Sequence, residues 1–216
     1  MKRKPEPELM LDEAQVRAYA NADFEEPHGH FMALLNERLG RPAPAGRALD
    51  LGCGAGDISR RCAPAFPGWR LDGVDGSATM PAVARDMTPG DAPIRYREIQ
   101  LPAPAPAQRY DLIVSNSLLH HLADPAVLWT TIRAWSNDPC RVFVMDLLRP
   151  ADRSTAQALV EQYAAGEPDV LRHDFLHSLY AAYTDVEIRA QVRAAGLPLR
   201  VEVVSDRHVI AWGDVR

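Results

Sequence analysis

The sequence predicts an α/β fold with a doubly wound, mostly parallel sheet and helices on both faces. A glycine-rich turn over residues 52–56 joins an apolar run to a stretch that favours a helix. Counting this first run, five apolar runs alternate with segments of helical periodicity, and two further runs close the chain with a short turn between them. Because parallel strands need helical crossovers while antiparallel strands can share a short turn, this order indicates a parallel sheet that ends in an antiparallel hairpin.

Residues 1–44 are expected to form a helical cap ahead of an α/β domain over residues 45–216. Helices are predicted for about 12–23 and for 31–39, where leucines recur at helical spacing. The segment between them holds Tyr19 and His28 among other aromatic and polar residues. That composition suits a cap over a pocket or a plain packing segment, and Tyr19 is a candidate substrate contact.

The glycine turn is the strongest local signal in the chain. Asp50 lies near the end of the first apolar run, and Gly52, Gly54 and Gly56 follow at alternate positions. Glycine allows a sharp turn and a close approach by a ligand, and the helix that follows offers unpaired N–H groups. The turn therefore predicts a binding site for a polar or anionic ligand group, with a ligand-free turn as the alternative.

The spacing of the glycines argues against a dinucleotide. The fingerprint G-x-G-x-x-G would place its third glycine at residue 57 or 59, which are Asp57 and Ser59. A Tyr-x-x-x-Lys catalytic pair is also absent from the sequence. An NAD(P)-dependent oxidoreductase is therefore the weaker alternative.

A second strand is predicted over residues 69–75, and it ends in Asp75. A carboxylate in this position can accept hydrogen bonds from two neighbouring hydroxyl groups. A simple helix N-cap is the alternative role for Asp75.

The pattern Asp50-x-Gly52-x-Gly54-x-Gly56 resembles motif I of the class I S-adenosylmethionine-dependent methyltransferases. The resemblance covers roughly residues 45–216 and implies a seven-stranded sheet whose last strand is antiparallel. It implies that the turn passes under the methionine part of the cofactor and that Asp75 holds the ribose hydroxyls. S-adenosyl-L-methionine would be the cofactor and S-adenosyl-L-homocysteine the product.

The resemblance also suggests contacts to the adenine. Met80 would form an apolar wall, and a residue beyond the third strand, 94–99, would meet the amino group. Gln100 is the nearest match and Glu98 the alternative, because the family's usual Gly-Asp pair is missing here. The expected cofactor-binding residues are Asp50, Gly52, Cys53, Gly54, Gly56, Asp75, Gly76, Ser77, Met80, Gln100, Asn116 and Ser117.

A fourth strand over residues 110–116 leads into the adjacent pair His120 and His121. This segment resembles the "xxxHH" segment that faces the methyl group in small-molecule methyltransferases. The Asp/Asn-Pro-Pro-aromatic motif of nucleic-acid enzymes is missing from residues 115–118. Because histidine titrates near neutral pH, both residues are candidate catalytic bases for a protonated nucleophile, with a structural role as the alternative.

The rest of the chain predicts a fifth strand over 141–147, flanking helices at 124–136 and 152–166, and closing strands at 199–204 and 207–212. Residues 166–183 mix aromatic and hydrogen-bonding side chains, as expected for a lid-like insert or substrate wall. His173 and Phe175 are candidate substrate contacts, and a helix packed on the sheet is the alternative. Thr184 and Glu187 form a capping box for the last helix.

Composition excludes several classes of protein. The 216 residues carry a net charge of −5 with no basic stripe, which argues against nucleic acid. No apolar run approaches the ~20 residues of a membrane span, and no signal-peptide h-region follows Met1. The three cysteines and the adjacent histidines lack metal-ligand spacing, so no metal is expected. A reduced cytoplasm is the predicted compartment.

The sequence thus predicts a methyltransferase that acts on a small molecule by in-line displacement. A non-catalytic S-adenosylmethionine-binding regulatory protein is a further alternative. Whether the acceptor atom is O, N, S or C, and whether the protein is a monomer or a homodimer, stay open.

Overall fold

The computed structural model describes residues 1–6, 22, 24–40 and 43–216. The strands are β1 Gly46–Leu51, β2 Trp69–Asp75, β3 Ile94–Glu98, β4 Tyr110–Asn116, β5 Ser136–Leu147, β6 Arg200–Val203 and β7 His208–Val215. The helices are α1 Glu25–Leu39, α2 Asp57–Ala65, α3 Thr79–Asp86, α4 Ala126–Trp135, α5 Arg153–Tyr163, α6 Asp169–Ala181 and α7 Asp185–Ala194, with a 3₁₀ turn at Leu119–His121.

The seven strands form one sheet in the order β3-β2-β1-β4-β5-β7-β6. The pairs from β3 across to β5 are parallel, whereas β7 is antiparallel to both β5 and β6. The predicted fold class is therefore confirmed. Strand order reverses between β1 and β4, and in such sheets a ligand crevice lies at that point, beyond the carboxyl ends of the strands.

The core is divided by the sheet into two main apolar clusters. Leu49 and Leu51 of β1 lie in the cluster that contains Trp129 and Trp135. Ala48 belongs to the opposite cluster, where the rings of Phe31 and Phe143 meet edge to face with centroids 5.0 Å apart. Because side chains alternate across a strand, a sheet covered on both faces needs apolar residues at nearly every position.

Two element boundaries differ from prediction. Helix α1 begins at Glu25 rather than near 31. Pro27 is compatible with this start, because it lies in the first turn, where a missing N–H costs no hydrogen bond. Strand β5 begins at Ser136 rather than 141. Its pairing with β4 shifts register before Arg141, and this irregularity accommodates Pro139 within the strand. The helix predicted for 12–23 falls on residues almost all of which lie outside the described ranges.

Residues 169–181, within the segment predicted as a lid-like insert or substrate wall, form the helix α6. Leu179 belongs to an apolar cluster with Leu159 and Val160 of α5, which also includes Leu147 at the end of β5. The capping box is confirmed: Thr184 Oγ1 accepts from the Glu187 amide, and Glu187 accepts from the Thr184 amide. No helix in the described part of the chain is both long and apolar enough to cross a bilayer.

Candidate functional site

A cavity of about 790 Å³ opens beyond the carboxyl ends of four neighbouring parallel strands. Gly52, Asp75, Asn116 and Leu147 line it, and these residues lie at or directly after the ends of β1, β2, β4 and β5, respectively. The volume falls within the range of sites that hold cofactors and small ligands. The cavity is therefore the candidate active site.

The glycine turn forms the floor of this cavity and is tied to β2. The amides of Gly52 and Cys53 both donate to the Val74 carbonyl, at 2.8 and 3.0 Å. Gly52 has a φ of +76°, and a Cβ at this position would lie 2.9 Å from the Leu118 side chain. A side chain at residue 52 is therefore excluded by backbone conformation and by contact with Leu118.

Gly56 has a packing role that the sequence did not reveal. Its φ is +81°, and a Cβ there would lie 2.5 Å from the Tyr96 hydroxyl. Gly56 does not line the cavity, although a cofactor contact was expected. The close approach of Tyr96, whose hydroxyl also donates to the Gly56 carbonyl at 3.3 Å, requires glycine here.

Asp50 lies beneath the turn and is 1% exposed. Its Oδ2 accepts a hydrogen bond from Ser59 Oγ at 2.6 Å, which links the end of β1 to α2. Burial raises the pKa of Asp50 to about 7, while the Ser59 bond opposes that rise. Asp50 and Cys53 do not line this cavity. They border a smaller adjoining pocket that shares Gly52 and Gly54 with it.

Asp75 lines the cavity with its carboxylate held in place by the backbone. Oδ2 accepts from the Gly54 amide at 3.0 Å, and Oδ1 accepts from the Ser77 amide at 2.9 Å. Burial raises the pKa of Asp75, and the two amide bonds oppose this. Because α3 begins at Thr79 with Ala78 as its N-cap, the alternative of Asp75 as a helix cap does not hold.

Further expected residues complete the wall of the cavity. Gln100 borders it, whereas Glu98 is exposed on β3 outside it. Ser117 is a non-glycine residue with a φ of +56°, and such strained positions cluster at binding sites. The predicted residues that line the cavity are Gly52, Gly54, Asp75, Gly76, Ser77, Met80, Gln100, Asn116, Ser117, His120, His121, His173 and Phe175.

His120 and Asp146 form a buried pair where the 3₁₀ turn meets the cavity. His120 Nδ1 lies 2.6 Å from Asp146 Oδ1, and the two side chains are 2% and 3% exposed. The Leu119 and Leu147 amides each donate to Asp146 at 2.7 Å. Burial alone would lower the pKa of His120. The charge of Asp146, its hydrogen bond to His120 and the charge of Glu6 act in the opposite direction, and the pKa of His120 is raised overall.

Glu6 is a site residue that the sequence did not identify. Its Oε1 lies 3.5 Å from His120 Nε2 and 3.3 Å from His121 Nδ1. Burial raises the pKa of Glu6, and a hydrogen bond from Ser178 at 3.1 Å opposes this. No local sequence pattern predicts a role for Glu6, because it lies in the N-terminal segment, far along the chain from the two histidines.

The segment that carries Glu6 is held against the domain. Arg3 donates to the carbonyls of Ala181, His120 and Leu122, at 2.6, 2.9 and 3.2 Å. Its guanidinium lies 4.1 Å from the centroid of the Tyr183 ring. These contacts fix the N-terminal residues beside α6 and the 3₁₀ turn.

The remaining walls come from α1 and from the end of α5 with β7. Phe24 and His28 border the cavity, as a cap over the pocket requires, and His28 Nδ1 lies 2.5 Å from Asp57 Oδ2. Arg207, which lies 3.3 Å from the Tyr163 ring centroid, and buried His208 were not predicted. Tyr19 lies outside the described residues.

Comparison with known proteins gives a family match. A model of the family described as "Methyltransferase domain" matches residues 49–142, from β1 into β5. The chain is 33% identical over 109 residues to a trans-aconitate 2-methyltransferase of Acidovorax sp. (strain JS42), covering 50% of this chain and 41% of that protein. An uncharacterized methyltransferase of Mycobacterium tuberculosis (strain ATCC 25618 / H37Rv) is 28% identical over 191 residues, 85% and 93% of the two chains. The chain spans less than half the length of the first curated relatives that it matches.

Solved structures share the fold. A SAM dependent methyltransferase from Aquifex aeolicus superposes with a TM-score of 0.70 at 14% identity, over 96% of this chain and 100% of that one. The plantazolicin methyltransferase BpumL in complex with SAH gives 0.67 at 13% identity, over 93% and 84%. Fold, glycine turn and family match agree. They confirm the predicted resemblance to the class I S-adenosylmethionine-dependent methyltransferases.

Proposed function

We propose that this protein transfers a methyl group from S-adenosyl-L-methionine to a small-molecule acceptor by in-line displacement. The observation that carries the proposal is the hydrogen bond from the Gly54 amide to Asp75, which joins the glycine turn to a fixed carboxylate in the cavity. The same cavity extends to His120 and His121. It thus has a cofactor end and an acceptor end.

At the cofactor end, Asp75 is proposed to accept hydrogen bonds from the ribose hydroxyls. Its two oxygens each accept one backbone amide, so each keeps a lone pair for a ligand hydroxyl. Met80 and Gln100 would border the adenine, and Asn116 with Ser117 would continue the wall toward the methyl group. The bound sulfonium cofactor supplies the methyl group and the driving force for its transfer.

At the acceptor end, the protein's main task is to position the nucleophile against the methyl carbon. Positioning of this kind supplies on the order of 7–11 kcal/mol of the barrier. His120 and His121 are the proposed catalytic residues, since they would meet the reacting atom of the acceptor and take up a proton that it loses. His173 and Phe175 on α6 would contact the rest of the acceptor, and Tyr19 stays a proposed contact.

A small-molecule acceptor is supported by the shape of the site and by the charge of the protein. Phe24 and His28 at the start of α1 and several residues of α6 line the cavity. A net charge of −5 disfavours nucleic acid as the acceptor. We place the protein in the cytoplasm, because its three cysteines are buried free thiols.

Calorimetric titration tests the cofactor class. S-adenosylhomocysteine is expected to bind with micromolar affinity and NADH not to bind. Binding of NADH alone would favour the oxidoreductase. If S-adenosylhomocysteine binds and no acceptor in a broad small-molecule screen is methylated, the protein is a cofactor-binding regulator and the catalytic proposal fails.

A further inference from the structure

Three side chains with metal-binding atoms meet at the acceptor end of the cavity. The carboxylate of Glu6 and the imidazoles of His120 and His121 place one ligand atom each within 4.8 Å of the others. We propose that these residues bind a divalent transition-metal cation of the zinc class. A set of two nitrogens and one carboxylate oxygen suits Zn²⁺ and Co²⁺ better than Mg²⁺, which prefers oxygen ligands and water.

The distances between the ligand atoms fit such a cation. Two ligands about 2.1 Å from a tetrahedral Zn²⁺ lie about 3.4 Å from each other. Glu6 Oε1 lies 3.5 Å from His120 Nε2 and 3.3 Å from His121 Nδ1. Both separations match, so a cation can sit between the carboxylate and each imidazole with little movement of the side chains.

The tautomer of His120 is set by a neighbouring carboxylate. Asp146 accepts the Leu119 and Leu147 amides and is acceptor-only when ionised, so His120 Nδ1 must carry the proton in their 2.6 Å bond. The lone pair is then on Nε2, which lies 3.5 Å from Glu6 Oε1. A ligating histidine whose other ring nitrogen donates to a carboxylate is the usual arrangement at metal sites.

Glu6 is also held in place. Ser178 Oγ donates to Glu6 Oε1 at 3.1 Å, and the Lys4 amide donates to the Tyr180 carbonyl at 2.9 Å. The Glu6 side chain is 11% exposed. With Asp146, the site places two carboxylates around His120, a charge arrangement that favours a bound cation.

The earlier expectation of no metal rested on spacing along the chain. His120 and His121 are neighbours in sequence and share no helical face, and nothing nearby completes a ligand set. The missing ligand comes from the N-terminal segment, which only tertiary packing brings to the 3₁₀ turn.

Three protein ligands leave a coordination position open, as in catalytic zinc sites. This position would face the cavity, so the cation could hold the reacting oxygen, nitrogen or sulfur of an acceptor. That consequence rests on the proposed function. The two imidazoles would then hold the cation instead of taking up the acceptor's proton. A hydroxyl, amine or thiol bound to the cation would release that proton to solvent, since a metal lowers the pKa of its ligand.

Cobalt titration of the chelator-treated full chain tests the site, since tetrahedral Co²⁺ gives a visible absorption band. We expect one equivalent of Co²⁺ to bind and Zn²⁺ to displace it. Glu6→Gln and His121→Ala should each weaken Co²⁺ binding at least about tenfold, and Asp146→Asn about 10–100-fold through the orientation of His120. His177→Ala is the matched control. It removes a cavity histidine of α6, whose ring lies 4.0 Å from that of His173, and should leave the affinity unchanged.

Several outcomes would overturn the site. Failure of the unmodified chain to bind Co²⁺ would do so, and so would loss of binding in His177→Ala with normal binding in Glu6→Gln, which would move the metal to α6. Each variant is also titrated with S-adenosylhomocysteine, so that a misfolded variant is recognised. A chain that binds Co²⁺ but no S-adenosylhomocysteine would refute the proposed function and leave the metal site standing.

Discussion

The Gly54 amide donates a hydrogen bond to Asp75 Oδ2 at 3.0 Å, which joins the turn after β1 to the end of β2. The bond couples two elements of the cofactor seat, so the carboxylate is already oriented before a ligand arrives. Preorganisation of this kind lowers the cost of binding, because no side-chain freedom has to be lost.

Replacement of Asp75 by alanine should weaken binding of S-adenosylhomocysteine by about 2–3 kcal/mol, since charge-assisted hydrogen bonds to the ribose would be lost. Calorimetric titration measures this loss. Glu98→Ala is the control, because Glu98 is an exposed acid on the adjacent strand outside the cavity, and it should bind normally. Equal affinity for Asp75→Ala and the unmodified protein would remove Asp75 from the site.

Replacement of Gly56 by alanine should lower the free energy of unfolding by about 1–3 kcal/mol. The left-handed backbone at this residue disfavours any side chain, and the new Cβ would press on the Tyr96 hydroxyl. Urea unfolding followed by circular dichroism measures the change. Gly90→Ala, with open space around its Cβ, should be nearly neutral. A Gly56→Ala protein as stable as the Gly90 variant would contradict the packing role.

The parts of the site that were predicted lie close together in sequence. The turn from Asp50 to Gly56 and the acid at Asp75 each lie at the end of a buried strand, which the hydrophobic pattern predicts. The spacing of the glycines also predicts the turn. Glu6 and Arg207 carry no such mark, because they reach the cavity only once the sheet has formed. The composition of residues 166–183 predicted a lid-like insert or substrate wall, with a packed helix as the alternative. Packing with α5 stabilises a helix there, and residues of this helix line the cavity.

Asp50 should make the protein less stable as pH rises. Its pKa is about 7 when folded against an ordinary value of 3.8, so the unfolded chain gives up the proton first. Between about pH 4 and 7 the free energy of unfolding therefore falls, by up to about 1.4 kcal/mol per pH unit from this group. Asp50→Asn keeps an acceptor for Ser59 and removes the titration.

Urea denaturation of Asp50→Asn and of the unmodified protein at pH 5 and pH 8 measures this effect. Between pH 5 and pH 8 the unmodified protein should lose more stability than Asp50→Asn. The variant should therefore be more stable, relative to the unmodified protein, at pH 8 than at pH 5. A difference that does not change with pH would show that Asp50 titrates normally in the folded protein.

His208 should make the protein less stable as pH falls. Burial and the nearby charges of Arg207 and His30 lower its pKa from 6.5 to about 3, although Asp146 and Asp206 act in the opposite direction. As pH falls, His208 therefore becomes protonated near pH 6.5 in the unfolded chain but only near pH 3 in the folded chain. As pH falls from about 6.5 to about 3, the free energy of unfolding should therefore fall by up to about 1.4 kcal/mol per pH unit.

His208→Gln retains a polar group beside Ser205, whose Oγ lies 3.1 Å from the His208 Nδ1, and removes this titration. Thermal unfolding at pH 7 and pH 5 should show a smaller loss of stability in the variant than in the unmodified protein. His177→Gln serves as the comparison. Burial also lowers the pKa of His177, but its side chain is far less enclosed, so its removal should change the pH dependence less. If the two variants lose stability equally between these pH values, His208 is not buried in its neutral form.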